Sequence, residues 1–231
     1  ATSKDENSNT ALPTAFLVRR ETSGLKVSAP SKKMGLDGAE VAEVYFNDCF
    51  IPDNALLGEV GQGLQITYNI LNKGRLRIAA LSVGIAARLI QESLAYSLTR
   101  HQFNRPIANF QLIRAMLADC QAEYFAAQCM VREAAKLLET NSELTGTIAS
   151  CKLFCTEMVC RVADRAVQIH GGQGYLAARG IEGFYRDVRL FRIYEGTNQI
   201  QQLIISKEMI NRHKERNHEQ QHPLPTGRVN P

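Results

Sequence analysis

Four stretches of the chain repeat their apolar residues at alternating steps of three and four, and this periodicity restricts the fold more than any other feature. In the clearest stretch the steps continue without a break from Ile113 to Leu138. Apolar residues at this spacing share one face of an α-helix, which must pack against a neighbour. The other stretches begin near Ile78, Ile148 and Ile200. Four long helices with short connections predict a mainly α fold built on a four-helix bundle.

The first fifty or so residues follow a different pattern. Residues 15–19, 25–29 and 41–46 have the composition of short strands, separated by glycines and a proline. Three short strands are too few for an independently stable sheet, so we expect that sheet partners are missing from this sequence or come from another chain. We predict a partial β-domain over residues 1–59, a C-terminal four-helix bundle domain over residues 60–212 and a polar, disordered tail over residues 213–231.

Composition narrows the possible functions. The chain has 231 residues, of which 45% are hydrophobic and 22% charged, which is enough for a real core. The net charge is +4, but no dense Lys/Arg stripe is interleaved with aromatic residues, so we expect no nucleic-acid partner. We expect no apolar run that is long enough to span a membrane and no signal peptide before Ala1.

The six cysteines do not form a CxxC pair, and several fall on the apolar face of a predicted helix. Cys151 and Cys155 share a helix face, but no histidine nearby completes a set of metal ligands. We therefore expect free, buried thiols in a reducing compartment and no metal site.

The segment from Arg192 to Ile200 places one carboxylate, Glu195, in a turn between apolar segments. Gly196 allows a ligand to approach the backbone, and Thr197 can cap the helix that follows. A carboxylate in this setting is suited to act as a general base for a weakly acidic C–H group. An ordinary capped helix start has the same pattern, so the segment alone leaves both interpretations open.

Three further polar segments have two interpretations each. Arg100 can bind phosphate through its guanidinium, or it can complement the dipole at the end of the first long helix. The glycines after His170 can cap a helix or admit a cofactor, and His170 itself can be structural. Asn72 to Arg75, which we expect to open the first long helix, can contact a ligand or lie in solvent.

Taken in order, these motifs resemble the C-terminal part of an acyl-CoA dehydrogenase. Each motif is weak alone, but their order and spacing are specific, and they extend from Ala15 to about Ile210. The matching segments are Ala15–Val18, Lys33–Gly35, Phe46–Pro52, Leu57–Gly63, Gly74–Arg75, Arg100 with Phe103, Gln168–Tyr175, Arg186–Asp187 and Ile193–Thr197.

The resemblance implies a protein of three parts: an N-terminal helical domain, a middle β-domain and a C-terminal four-helix domain. This chain matches only the second half of the β-domain and the whole C-terminal domain. We therefore expect a fragment or half of a larger enzyme. Two alternatives stay open: a non-catalytic helical module that oligomerises, and a flavin oxidase or monooxygenase of related architecture.

The activity implied by the resemblance is the FAD-dependent α,β-dehydrogenation of an acyl-CoA thioester to the trans-2-enoyl-CoA. Glu195 would be the base that removes the α-proton, while the β-hydrogen leaves as a hydride to flavin N5. Some members of the family carry the base immediately before the residue that matches Arg75. Here that position is Gly74, which cannot serve, and this favours Glu195.

The resemblance also implies the binding residues and partners. The substrate would contact Asn72, Lys73, Gly74, Arg75, Tyr194 and Gly196. The FAD of the neighbouring subunit would contact Arg100, Phe103, Gln111, Gln168, Ile169, His170, Gly171 and Gly172. The FAD of the same subunit would contact Thr197, Asn198 and Gln199. The resemblance further implies a homodimer or homotetramer, with an electron-transfer flavoprotein as electron acceptor. It also implies a role in fatty acid β-oxidation and a location in bacterial cytoplasm or mitochondrial matrix.

Overall fold

A computed structural model describes residues 1–4, 11–140 and 144–221, and most of them are helical. The five α-helices are α1 (Gly63–Thr99), α2 (Gln111–Thr140), α3 (Thr145–His170), α4 (Ile181–Val188) and α5 (Asn198–Gln221). The four long helices confirm the predicted bundle, and the short helix α4, which the periodicity did not predict, lies between α3 and α5 in the chain.

Helix α3 is the central element, because it packs against all four other helices. Its buried residues recur through every turn, which is the pattern of a helix that is covered on more than one side. Cys151, Cys155, Met158 and Val162 contribute to the hydrophobic core from this helix, and none of them exceeds 2% exposure.

Helix α1 meets this core through small residues. From Arg75 onward its buried positions recur at steps of three and four, and they are Arg75, Ala79, Ser82, Ala86, Leu89, Ser93 and Ser97. The apolar residues that predict this helix from Ile78 onward lie only partly in the core, since Leu81 and Leu94 are exposed. The buried hydroxyl of Ser82 donates to the carbonyl of Ile78 at 2.8 Å, so its polar group is satisfied within the helix.

Two predicted helix boundaries differ from the structure. Helix α1 begins at Gly63, so Asn72 to Arg75 lie within the helix and do not open it. Helix α5 continues to Gln221, so the predicted disordered tail starts too early, and the rest of that tail, residues 222–231, lies outside the described residues.

By length and composition alone, helix α1 is able to cross a membrane, in contrast to the expectation that no apolar run is that long. The helix packs against α2 and α3. Core helices of globular proteins meet the same criterion, so this is weak evidence for a membrane span.

The strands form four antiparallel pairs of two strands each. The pairs are β1 (Thr2–Lys4) with β2 (Ala11–Pro13), β3 (Ala15–Phe16) with β6 (Leu56–Leu57), β4 (Leu25–Val27) with β5 (Val44–Phe46), and β7 (His101–Gln102) with β8 (Arg105–Pro106). Each of the three predicted strands contains one of these strands but is longer than it. The β7–β8 hairpin between α1 and α2 was not predicted.

The six cysteines are free, and Cys120, Cys151 and Cys155 are buried, as the sequence indicates. Burial raises the pKa of Cys151 to about 11 and that of Cys155 to about 12. These thiols therefore behave as small apolar core groups.

The strand-rich segment is fastened to the bundle at Gly35. The backbone N–H of Leu36 donates to Oδ1 of Asp187, and Nη1 of Arg186 donates to the carbonyl of Met34 at 2.7 Å. Gly35 lies so close to α4 that a Cβ there would be 2.5 Å from Oδ1 of Asp187 and 2.9 Å from the carbonyl carbon of Arg186. The absence of a side chain at residue 35 therefore allows this contact.

We expect Gly35→Ala to lower the free energy of unfolding by about 1–3 kcal/mol, because the added methyl group would push the loop away from α4. Urea denaturation followed by circular dichroism measures the change. Gly38→Ala in the same loop is the matched control, since a Cβ there would meet no atom within 4 Å. Equal stability of the two variants would contradict this account of the contact.

Candidate active site

Glu195 lies in a turn between a 3₁₀ segment (Arg189–Arg192) and α5. Both Glu195 and Gly196 have left-handed backbone conformations, with φ of 56° and 82°. Thr197 follows, and its Oγ1 accepts a hydrogen bond from the backbone N–H of Ile200 at 3.3 Å. The predicted capping role of Thr197 is thus confirmed, and the turn is fixed at its helical end.

The carboxylate of Glu195 lies directly over Gly74 of α1. A Cβ at residue 74 would be 2.5 Å from Oε2 of Glu195 and 2.8 Å from its Cδ. Any larger residue at position 74 would therefore displace the carboxylate. The two positions that the sequence analysis considered for a base are direct neighbours in space.

The two carbonyl groups of the turn accept hydrogen bonds from three different helices. Arg75 of α1 donates through Nε to the carbonyl of Glu195 at 3.3 Å. Gln201 of α5 donates through Nε2 to the carbonyls of Glu195 and Gly196, at 3.3 and 3.0 Å. Lys152 of α3 donates through Nζ to the carbonyl of Gly196 at 2.9 Å. The backbone of the candidate base is therefore held from α1, α3 and α5 together.

Lys152 is fully buried and is not among the site residues predicted from the sequence. Its Nζ also donates to Oδ1 of Asn198 at 2.7 Å, and the same oxygen accepts from Oγ1 of Thr156 at 3.1 Å. The other amide atom of Asn198 donates to Oε1 of Glu157 at 2.7 Å, and Glu157 pairs with Arg192 at 2.6 Å. The side chain of Asn198 therefore links Lys152 and Thr156 to Glu157.

The pKa of Lys152 is lowered to about 8, first by burial and then by the nearby charge of Arg75, while Glu157 and Glu195 act in the opposite direction. The sequence contained a usable signal for this residue. Lys152 falls four residues after Ile148 and three before Cys155, on the apolar face of the central helix. A charged group at such a position needs partners, and these are the Asn198 amide and the Gly196 carbonyl.

The predicted substrate residues mostly lie around Glu195. Arg75 is only 3% exposed, and its Nη1 donates to Oδ1 of Asn72 at 3.0 Å. Burial lowers the pKa of Arg75, and the charge of Glu195 partly opposes that effect. Lys73 is exposed on the surface of α1. A cavity of about 720 Å³ between α1, α3 and α5 is bordered by Asn72 and Arg75.

Tyr194 is packed beside the candidate base. Its ring stacks on that of Phe191, with centroids 5.5 Å apart. Burial raises the pKa of Tyr194 to about 12, and the charge of Glu195 contributes to this increase. The phenol is therefore neutral at physiological pH and has no role as a competing base.

Most of the residues predicted to bind the cofactor of a neighbouring subunit line a second cavity of about 930 Å³. The predicted residues along its wall are Arg100, Phe103, Gln111, Ile169, His170, Gly171 and Gly172. Gln168 is exposed and is not part of the wall. A Cβ at Gly171 or Gly172 would meet no atom within 4 Å, so both backbones face open space.

His170 is held firmly in this wall. Its ring stacks on Tyr96 with centroids 4.4 Å apart, and its Nδ1 lies 2.8 Å from the carbonyl of Ala166. A carbonyl can only accept, so Nδ1 carries the proton and Nε2 is the acceptor in the neutral ring. This geometry fits the structural interpretation of His170.

The two cavities lie toward opposite ends of the bundle. Arg75 and Arg100 are separated along α1 by about 37 Å at the rise of an α-helix. Lys152 and His170 are separated along α3 by about 27 Å on the same basis. One chain therefore presents the candidate base and the second cavity at two separate places.

Comparison with known proteins gives a consistent result. Residues 61–210 match the family model described as the acyl-CoA dehydrogenase C-terminal domain. The chain is 41% identical over 196 residues to the probable acyl-CoA dehydrogenase YngJ of Bacillus subtilis, covering 85% of this chain and 52% of the relative. It is 37% identical over 192 residues to the caffeyl-CoA reductase-Etf complex subunit CarC of Acetobacterium woodii, covering 83% and 51%.

Among solved structures, an acyl-CoA dehydrogenase from Bacillus anthracis complexed with FAD superimposes with a TM-score of 0.85 at 33% sequence identity. The superposition covers 94% of this chain and 40% of that one. The chain spans about half the length of the curated relatives it matches.

The lowered pKa of Lys152 predicts a defined dependence of stability on pH. The folded protein releases the Lys152 proton at about pH 8, whereas the unfolded chain keeps it until its ordinary value of 10.5. Between these values the unfolded state binds more protons, so this group adds stability as the pH rises through the window.

The test compares the free energies of unfolding of the wild type and of Lys152→Met. We expect the difference, wild type minus variant, to increase between pH 8 and pH 10 and to be constant below pH 7. Urea denaturation at a series of pH values measures the difference, and other titrating groups cancel because both proteins carry them. A difference that stays constant across the window would contradict the lowered pKa.

Proposed function

Because the chain belongs to the acyl-CoA dehydrogenase family, we propose that it carries the base of an FAD-dependent enzyme that oxidises an acyl-CoA thioester to the trans-2-enoyl-CoA. The base is Glu195. The observation that carries this proposal is the placement of its carboxylate over Gly74, at the end of a turn that donors from three helices hold in place.

The chemical step needs a base that faces the α-carbon and a donor for the thioester oxygen. Loss of the α-proton moves negative charge onto that oxygen, and a fixed N–H group would stabilise it. Among the described residues, the backbone N–H of Glu195 donates to no other group. One residue would then take the proton through its side chain and stabilise the enolate through its backbone.

Asn72, Gly74, Arg75, Tyr194 and Gly196 would surround the reacting end of the substrate. Arg75 and Gln201 would act mainly through the backbone of Glu195, because their donors are used there. Tyr194 would cover the carboxylate from one side and restrict the access of water, which strengthens the electrostatic interactions within the site.

When bound, FAD would supply the acceptor for the β-hydride. The family uses FAD, as in the structure from Bacillus anthracis. The wall of the larger cavity fits part of such a cofactor: Arg100 has a planar guanidinium suited to phosphate, and Gly171 and Gly172 offer open backbone.

The distance between the two cavities supports an assembly of at least two chains. A cofactor beside Glu195 of one chain would lie too far from Arg100 and His170 of the same chain, by the helix lengths given above. A second copy that brings its Arg100 end toward the first copy's Glu195 would complete the site. We therefore propose a homodimer, or a homotetramer built from two such dimers.

The direction of the reaction depends on the electron partner. In the reverse direction the protonated Glu195 would return a proton to the α-carbon, since the forward and reverse reactions share one transition state. The relative from Acetobacterium woodii is a subunit of a caffeyl-CoA reductase-Etf complex. We propose an electron-transfer flavoprotein as the redox partner here.

We expect Glu195→Gln to slow flavin reduction by acyl-CoA by about 10²- to 10⁴-fold, because the amide cannot accept the α-proton. The measurement is the anaerobic loss of the oxidised flavin absorption band after acyl-CoA is added to the FAD-loaded protein. Glu133→Gln on the exposed surface of α2 is the control. Reduction of the Glu195→Gln protein at the wild-type rate would exclude Glu195 as the base, and a folded oligomer that binds no FAD would indicate the non-catalytic helical module.

Gly74→Ala separates the position of the base from the stability of the fold. We expect flavin reduction to slow by about 10²-fold, because the new methyl group displaces the carboxylate, while the helix itself tolerates alanine. Gly84→Ala on the same helix is the matched control, since a Cβ there would meet no atom within 4 Å. Equal rates in both variants would show that the carboxylate does not act from its position over Gly74.

A further inference from the structure

We propose that Lys152 is a positioning residue whose buried ammonium group holds the turn at Glu195 and Gly196 in the conformation that places the carboxylate over Gly74. The inference rests on the proposed role of Glu195 as the base. It assigns a function to the one fully buried lysine among the described residues.

The conformation of the turn requires an external restraint. A non-glycine residue in the left-handed region is disfavoured by a clash between Cβ and the backbone, and Glu195 is such a residue, followed directly by Gly196 in the same region. Left-handed residues of this kind persist where the surrounding structure fixes them. The restraint must act on the backbone, because the carboxylate has to remain free for chemistry.

Lys152 makes the shortest of the hydrogen bonds to the turn carbonyls, at 2.9 Å to Gly196. The bonds from Arg75 and Gln201 are 3.0 to 3.3 Å long. In the part of the chain that the structure describes, Lys152 is also the only donor to these carbonyls that comes from the central helix α3. It thereby ties the turn to the most extensively packed element of the bundle.

The second bond of Lys152 extends the restraint into α5. Its ammonium group donates to Oδ1 of Asn198, the first residue of α5, at 2.7 Å. The ammonium group of Lys152 therefore holds both the carbonyl of Gly196 and the first residue of α5. A shift of the ammonium group would change the angle at which the turn enters α5 and move the carboxylate with it.

Charged groups surround this ammonium group on several sides. Arg75 faces it from α1 and opposes its charge, whereas Glu195 from the turn and Glu157 from α3 favour it. Arg192 pairs with Glu157 and so reduces the support that Glu157 gives. A hydrogen bond from a charged donor is stronger than one between neutral groups. Loss of the ammonium group of Lys152 would therefore have a large effect on the turn.

The test compares four proteins as FAD-loaded enzymes: wild type, Lys152→Met, Lys152→Gln and the control Lys136→Met. Methionine keeps the length of the side chain and removes the donor, whereas glutamine keeps one donor. Lys136 lies on α2 with 77% of its side chain exposed. Amide hydrogen exchange reports the turn through the hydrogen-bonded amides at its two ends, which are those of Ile193, Tyr194, Ile200 and Gln201. Anaerobic flavin reduction at a series of acyl-CoA concentrations separates binding from the rate constant.

In Lys152→Met we expect exchange at these four amides to be about ten- to hundredfold faster, with α2 unchanged. We expect the limiting rate of flavin reduction to fall by about the same factor and the apparent affinity for acyl-CoA to change less than threefold, because the carboxylate and not the binding surface is displaced. Lys152→Gln should be intermediate, and Lys136→Met should equal the wild type.

Three results would overturn the proposal: unchanged exchange at the four amides of the turn, an unchanged reduction rate despite faster exchange, or a uniform loss of protection throughout the helices in both Lys152 variants. The last would show a residue that matters only for folding. The exchange measurement does not depend on catalysis. If Glu195→Gln were fully active, the base assignment would fail while the hold of Lys152 on the turn would still be measured.

Discussion

The site depends on a turn whose backbone conformation is unfavourable by itself. Glu195 and Gly196 are consecutive left-handed residues, and their two carbonyls accept donors from α1, α3 and α5. These donors meet only when the three helices are packed together. Formation of the core and positioning of the carboxylate are therefore parts of one event, and the small buried residues of α1 contribute to it because they let α1 approach α3 closely.

The sequence predicts the helices well and the contacts between them poorly. The alternation of apolar residues located all four long helices, because this periodicity reports directly on burial. The same periodicity does not show which face of α1 is buried. The buried residues Ala79, Ser82, Ala86 and Ser93 are small or polar, so they contribute little to an apolar pattern. The short helix α4 and the extension of α5 to Gln221 are stabilised by local contacts that periodicity does not report.

For the candidate site, the resemblance predicted the residues around Glu195 and did not predict the residues that hold the backbone of its turn. Glu195, Gly74 and Arg75 belong to ordered motifs, and the structure brings them together. Lys152 and Gln201 come from distant parts of the chain and act on backbone atoms, so no short motif contains them. The residues around Arg100 and His170 share a cavity but lie far from Glu195 along helices α1 and α3.

The contact between Gly74 and the carboxylate of Glu195 has an evolutionary consequence. The same volume can be filled by an acidic side chain from α1 or by one from the turn, but not by both. An acidic residue introduced at position 74 alone therefore gives a protein with two crowded carboxylates. Loss of Glu195 alone gives a protein with none. Under the proposed role of Glu195, transfer of the base from one position to the other requires two coupled substitutions, with an inactive intermediate if the turn residue is lost first. The residue at position 74 thus restricts which mutational routes are open to the residue at position 195, although the two are separated by more than half of the chain.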